Sequence, residues 1–165
     1  MTTPNSLMLN DFRIEKTPLP VSVTLLDSDI LVGDLFIQAS AKHQFAMEDA
    51  SEVMNTSDDF FPLRLRSGST LLVAKGQVRD VRVAPEHIPA TDWSVCVPTP
   101  VHIRLRDGSN LEGKFLIETN AGRTRVLDYL NHWTERFVSL YRADGLVLVN
   151  VSQIVHVRQL IDATA

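Results

Sequence analysis

A single cysteine, Cys96, stands among 165 residues, so no internal disulfide can brace this chain. It lies in the apolar run Val95-Cys96-Val97, the setting of a buried, inert thiol. A reactive cysteine needs an exposed, electropositive position. Aromatic residues are scarce at 7%, and no apolar run is long enough to span a bilayer. The opening stretch MTTPNSLMLNDFRIEK has no basic start leading into an apolar segment and no small-residue cleavage site, so a cytoplasmic protein with no membrane partner is expected. The net charge of -4 argues against a protein built mainly to hold a phosphate backbone.

Catalytic signatures are missing too. The five histidines, His43, His87, His102, His132 and His156, are scattered without i, i+4 pairing or cysteine companions, so no metal is expected. There is no Gly-x-Ser-x-Gly elbow, no phosphate-cradling loop and no dinucleotide fingerprint, so neither a cofactor nor an enzymatic activity is expected. The acidic pairs Glu48-Asp49 and Asp58-Asp59 read as helix-start or loop-solvating residues rather than as paired catalytic carboxylates.

What is present is a repetition. VSVTLLDSDILVGDLFI from Val21 returns as VHIRLRDGSNLEGKFLI from Val101, with Leu25/Leu105, Asp27/Asp107, Leu31/Leu111, Gly33/Gly113 and Ile37/Ile117 in step. Further on, Glu52-Val-Met-Asn55 matches Asp128-Tyr-Leu-Asn131, and Phe60-x-x-Leu63 matches Phe137-x-x-Leu140. LLVAKGQVRDVRV from Leu71 matches VLVNVSQIVHVRQ from Val147. The chain is a tandem duplication. Each repeat of about 65 residues is near the lower limit for an independent core, so the halves are expected to pack on each other or on neighbours.

The second repeat reads most clearly. Val101, Ile103 and Leu105 alternate with His102, Arg104 and Arg106, the period of a strand with one buried face. Asp107-Gly108 supplies a tight turn, and Asp27 and Asp107 are read as turn formers. The next strand carries Gly113, as its counterpart carries Gly33, which marks a bend. A short helix follows over Thr124 to His132, capped by Thr124 and ended by Asn131 as Asn55 ends its counterpart. Three strands complete the unit: Phe137 to Arg142, Leu146 to Asn150 and Gln153 to Arg158. Phe60 and Phe137 are expected in the core, with Trp133 over the mouth.

The expected fold is mainly β: two tandem five-stranded small barrels, each with a short helix between strands two and three. Residues 1–19 form an arm with a helical turn around Ser6 to Phe12, 20–83 the first barrel, 84–99 a proline-rich linker, 100–159 the second barrel and 160–165 a tail. Duplication allows the halves to meet as a pseudo-dimer or head to tail through strand edges, and the second arrangement permits a ring of several chains.

The pattern V-x-V-x-L-x-D-G, L-x-G-x-hydrophobic, Asp-x-x-Asn and a closing strand pair joined by a very short turn resembles the Sm-like fold of the small SH3-like barrels. It is also similar to short bacterial proteins built on one such unit, a likeness that implies no activity. The Sm-like resemblance implies a single-stranded RNA site at Asp128, Asn131 and Lys75, the last through Lys75-Gly76. The chain departs from that pattern, because Glu52 replaces the aspartate in the first half and Val151-Ser152 replaces the basic-Gly pair in the second. Arg104, Arg106 and Arg142 make the second half locally basic and are the further candidates for a nucleic-acid or partner contact.

Two readings follow. One is a non-enzymatic protein-interaction or assembly module whose exposed strand edges pair with a protein partner or with another copy. The other is an Sm-like RNA-binding protein.

Overall fold

The computed structural model describes residues 16–38, 49–88, 95–118 and 125–160. The expected turn at Ser6 to Phe12, the capping Thr124, and Glu48 all lie outside the described residues. The first half runs β1 (Thr17–Leu25), β2 (Ile30–Ile37), α1 (Ala50–Met54), β3 (Phe60–Leu65), β4 (Thr70–Ala74) and β5 (Val78–Val83). The second runs β6 (Cys96–Leu105), β7 (Asn110–Glu118), α2 (Val126–Asn131), β8 (Phe137–Arg142), β9 (Gly145–Asn150) and β10 (Ile154–Gln159). β6 therefore begins inside the segment whose prolines read as a linker. Pro98 and Pro100 stand beyond the end of the β10 ladder, which reaches Val101, a strand position that tolerates a missing N–H.

The duplication holds bond for bond. Val21 pairs with Gly33 as Val101 pairs with Gly113, Val23 with Val81 as Ile103 with Val157, and Leu63 with Leu71 as Leu140 with Val147. The Lys75 N–H donates to the Asp59 carbonyl at 2.8 Å, and the Val151 N–H to the Arg136 carbonyl at 2.9 Å. Asp49 caps α1 by accepting from the Glu52 N–H at 2.8 Å, which gives half of the Glu48-Asp49 pair its helix-start role. α2 has no such side-chain cap and follows Arg125.

All ten strands join one open antiparallel sheet in the order β10-β6-β7-β8-β9-β5-β1-β2-β3-β4. Two separate units are what period-two patterning leads to; the ladder between β5 and β9 makes them continuous. Within the first half, β5 and β4 lie at opposite ends of a five-strand order yet are linked by a turn of 3 residues, Lys75–Gln77. A flat sheet would hold such strands roughly 19 Å apart, more than the roughly 14 Å that this link can span. The half must curl, and the second half repeats the link over Val151–Gln153.

The curl requires close approach at the bent strands. A Cβ on Gly33 would collide with the Arg64 carbonyl oxygen, and one on Gly113 would lie 2.7 Å from both Leu140 Cγ and the Tyr141 carbonyl oxygen. The apolar faces form two clusters. One gathers Val23, Leu35, Met54, Leu63, Val78 and Val81 with Phe137, Leu146 and Leu148 from the second half. The other gathers Ile103, Phe115, Val138, Leu140, Val147 and Val149. β9 is thus buried on both faces, Leu146 and Leu148 serving one cluster and Val147 and Val149 the other. Trp133 packs at the rim of the second cluster on Tyr129, 5.5 Å between ring centres, and Tyr129 on Phe115 at 5.2 Å. Burial raises the Tyr129 phenol well above its ordinary pKa.

Phe60 corrects the expectation of two equivalent core phenylalanines. Phe137 is fully buried at the junction of the halves, whereas Phe60, on the outer strand pair, is 59% exposed, and Phe61 occupies the inward position. At the left-handed position of the two hairpin turns, Gly108 adopts φ 88°, while Ser28 holds the same region at φ 74°. Ser28→Gly is expected to stabilise the protein by about 0.5–1 kcal/mol. Gly33→Ala or Gly113→Ala should destabilise it by about 1–3 kcal/mol. Urea unfolding midpoints check both.

Candidate assembly interface

The expected site residues do not converge. Lys75 is fully buried, its Nζ donating to the Thr56 carbonyl at 3.1 Å and to Thr56 Oγ1 at 2.9 Å. Desolvation lowers its pKa from the ordinary lysine value. Asp128 and Asn131 lie on α2, where the Asp128 carbonyl accepts from the His132 N–H at 3.1 Å. Arg104 and Arg106 are exposed at the end of β6 and just beyond it. Arg142, at the end of β8, pairs with Asp144 at 3.1 Å. No hydrogen bond or ion pair among the described residues joins any two of these side chains.

The described residues contain no cluster of three or more potential metal ligands, and no helix among them is long and apolar enough to cross a membrane. Two open clefts, of about 340 and 650 Å³, flank β9 and β7. The larger carries Lys114, Glu112, Arg142 and Asp144, but Arg142 and Asp144 neutralise each other.

What the fold does build is a junction between repeats. Along it Asp80 faces Val149, Val81 faces Leu148, Arg82 faces Val147 and Val83 faces Leu146. α1 caps one end through Asn55, whose Nδ2 donates to the Phe137 carbonyl at 3.1 Å and whose Oδ1 accepts from the Phe137 N–H at 2.9 Å. Both backbone groups of Phe137 are satisfied by one amide, and its ring is enclosed by the first half's cluster. Farther along, the buried Asn150 donates to the Val78 carbonyl at 2.9 Å.

Charge secures the other end. The fully buried Asp80 carboxylate accepts from Arg79 at 2.8 Å and lies 3.4 Å from Arg82. Arg79 also reaches Asp107 in the second half's hairpin turn at 2.7 Å. Asp107 accepts from the Ser109 hydroxyl and N–H at 2.5 and 2.9 Å, forming the expected turn. The Ser109 hydroxyl, then Arg79, then the Ser109 N–H hold its carboxyl down to about 2.

At the outer ends of the sheet the corresponding strands have no second neighbour among the described residues. β4, paired on one side with β3, offers its other edge, Thr70-Leu-Leu-Val-Ala, without a charge, a proline or a bulge to block another strand. Leu72 is 74% exposed there, whereas its counterpart Leu148 is fully buried at the junction. At the opposite end, β10 has Val155 59% exposed, and Ile154 and Val157 are only partly buried where Val78 and Val81 are wholly so. Leu72 was not a candidate from sequence, and Phe60 and Asn55 read there as a core residue and a helix terminator. The available signal was the doublets Phe60-Phe61 and Leu71-Leu72, which break period-two alternation and mark strands with two apolar faces. No protein-family model, curated protein or solved structure matches this chain.

Two outcomes are expected. Asn55→Ala should cost about 1–3 kcal/mol, because it leaves both Phe137 backbone groups without their partner. Asn131→Ala, at the exposed counterpart, should cost under about 0.5 kcal/mol in the monomer. Because the Asp107 pKa is lower folded than unfolded, its stabilisation is present above about pH 4 and is lost as pH falls through about 2. Asp107→Asn should flatten that acid limb in urea titrations at pH 2–5.

Proposed function

We propose that this chain is a non-enzymatic protein-interaction and assembly module, built of two repeated small barrels of the Sm-like or SH3-like kind that offer sheet edges to a protein partner. The barrel reading is supported by the five-strand order shared by both halves, the curl demanded by the short β4–β5 link, and the close-approach glycines at the bend. The functional reading rests on one observation. Among the described strands β4 is an edge, paired on one side only, and it carries a 74% exposed leucine beside a 59% exposed phenylalanine on β3. Burying two such side chains is worth about 3–6 kcal/mol, and edge pairing adds the directional backbone bonds that turn apolar surface into specific recognition.

The RNA-binding alternative has weaker support. Lys75 commits its ammonium to Thr56, and Asn55, the counterpart of Asn131, commits its amide to protein backbone. The exposed Arg104 and Arg106 remain as the basic surface such a reading would use. Fluorescence anisotropy with labelled single-stranded RNA across a salt series separates the two. No binding at low salt is the expected result. Tight binding that falls steeply with salt and weakens in Arg104→Ala/Arg106→Ala would replace the module reading with the RNA-binding one.

A further inference from the structure

We infer that the outer face of β10, β6 and β7 is a docking surface for an extended acidic protein segment. Carboxylates at alternate positions lie on its cationic rows, and a large apolar side chain enters the cleft at its end. The inference rests on the interaction-module reading and names the chemistry of the partner.

Register lays the face out. β6 turns Val101, Ile103 and Leu105 into the core, so Pro100, His102 and Arg104 point outward. Arg104 stands opposite His156 of β10 and Asn110 of β7, His102 opposite Arg158 and Glu112, and Pro100 opposite Lys114. Side chains directly opposed in this way start about 5 Å apart, and successive rows are about 7 Å apart. Arg104, Arg158, Lys114 and His156 are exposed. No ion pair among the described residues engages them, and His102 Nδ1 has no hydrogen-bond partner there. The arginines keep their donor forks unused, in the geometry that takes a carboxylate through two parallel bonds.

The fold itself does not require this charge. At the equivalent positions the first half has Ser22, Thr24, Val32, Asp34, Asp80 and Arg82, and its one arginine lies against the buried Asp80. The second half has His102, Arg104, Glu112, Lys114, His156 and Arg158, in a chain whose net charge is -4. The same strands in the same register are basic in one copy only.

The third row opens into the cleft of about 650 Å³, where Pro98, Pro100, Tyr141 and Leu160 supply apolar wall and Lys114 a cation at the rim. A concave, largely apolar site of this kind takes an aromatic or aliphatic anchor. An extended segment advances about 7 Å every two residues, which is the spacing of the rows. Two carboxylates at alternate positions, followed two residues on by an aromatic side chain, therefore reach the first row, the second row and the cleft together. A nucleic-acid strand fits less well. Glu112 stands in the second row, where a chain charged at every nucleotide sets a phosphate against it, whereas a peptide can place an uncharged residue there.

Amide chemical shifts of the isotope-labelled full chain, titrated to millimolar peptide, are the test. The probe is the peptide Glu-Ser-Glu-Ser-Trp, with Gln-Ser-Gln-Ser-Trp and Glu-Ser-Glu-Ser-Ala as controls. Shifts concentrated on β10, β6 and β7, an affinity that falls as salt rises, and weaker binding of both controls are expected. Arg104→Ala/Arg158→Ala should weaken binding roughly 3–10-fold. Arg66→Ala/Arg125→Ala, the same loss of charge at exposed positions off the face, should leave it unchanged. Both variants alter exposed side chains only and should keep the native circular dichroism spectrum. Equal binding of either control, or equal losses in the two variants, would overturn the inference. So would the absence of any shift at millimolar peptide. If labelled single-stranded RNA is not bound either, that last result leaves the interaction-module reading standing on the β4 edge. RNA bound through Arg104 and Arg158 in place of the peptide removes that reading as well.

Discussion

The ladder between β5 and β9 is the contact on which the rest of this structure depends. A five-strand unit that curls until its end strands are joined by a very short turn still has two strand edges to satisfy. Each repeat alone is also near the lower limit of size for an independent core. Pairing the fifth strand of one repeat with the fourth strand of the next addresses both difficulties together. It bonds two edges and inserts Phe137, Leu146 and Leu148 into a core that the first repeat does not close by itself. The amide of Asn55 and the Arg79 bridge to Asp107 then fix the ends of that ladder, the first by satisfying buried backbone and the second by neutralising the carboxylates it touches.

Because the two repeats share a topology, their differences report on environment. Leu148 and Leu72 stand at the same place in the same strand, one fully buried and the other 74% exposed; β5 lies beside the first, and no described strand lies on the outer side of the second. Phe137 and Phe60 make the same comparison on the strand beside it. A protein that exposed such residues with no use for them would ordinarily protect the edge with charge, proline or a bulge, and β4 has none of these.

Much of the fold was legible in the sequence. Alternation placed the strands, the Asp-Gly and Asp-Ser dipeptides placed the first turn of each half, and the repeat predicted that one half would copy the other. Edge pairing was not legible, since a strand's period specifies which face is buried but not which neighbour it will have. The candidate site suffered for that reason. Lys75 reads from sequence as a basic residue in an exposed turn, yet the turn folds its side chain inward onto Thr56. Asn55 and Asn131 read as helix terminators, and Asn55 does sit at the C-cap, but its side chain acts on residue 137, far away in the chain. Contacts of such sequence separation leave no local trace.

The buried bond from Asn150 to Val78 spans 72 residues. A folding chain must therefore bring together two segments made separately, while each segment carries surfaces that match the other segment in every neighbouring molecule. The tether between the halves gives the internal partner a local concentration in the millimolar range, so in dilute solution the chain closes on itself. During crowded refolding that advantage narrows, and the first half of one molecule can be completed by the second half of another. The duplication that makes the core closable thereby also makes the chain prone to exchanging halves, with entangled dimers as the characteristic product of folding it too concentrated.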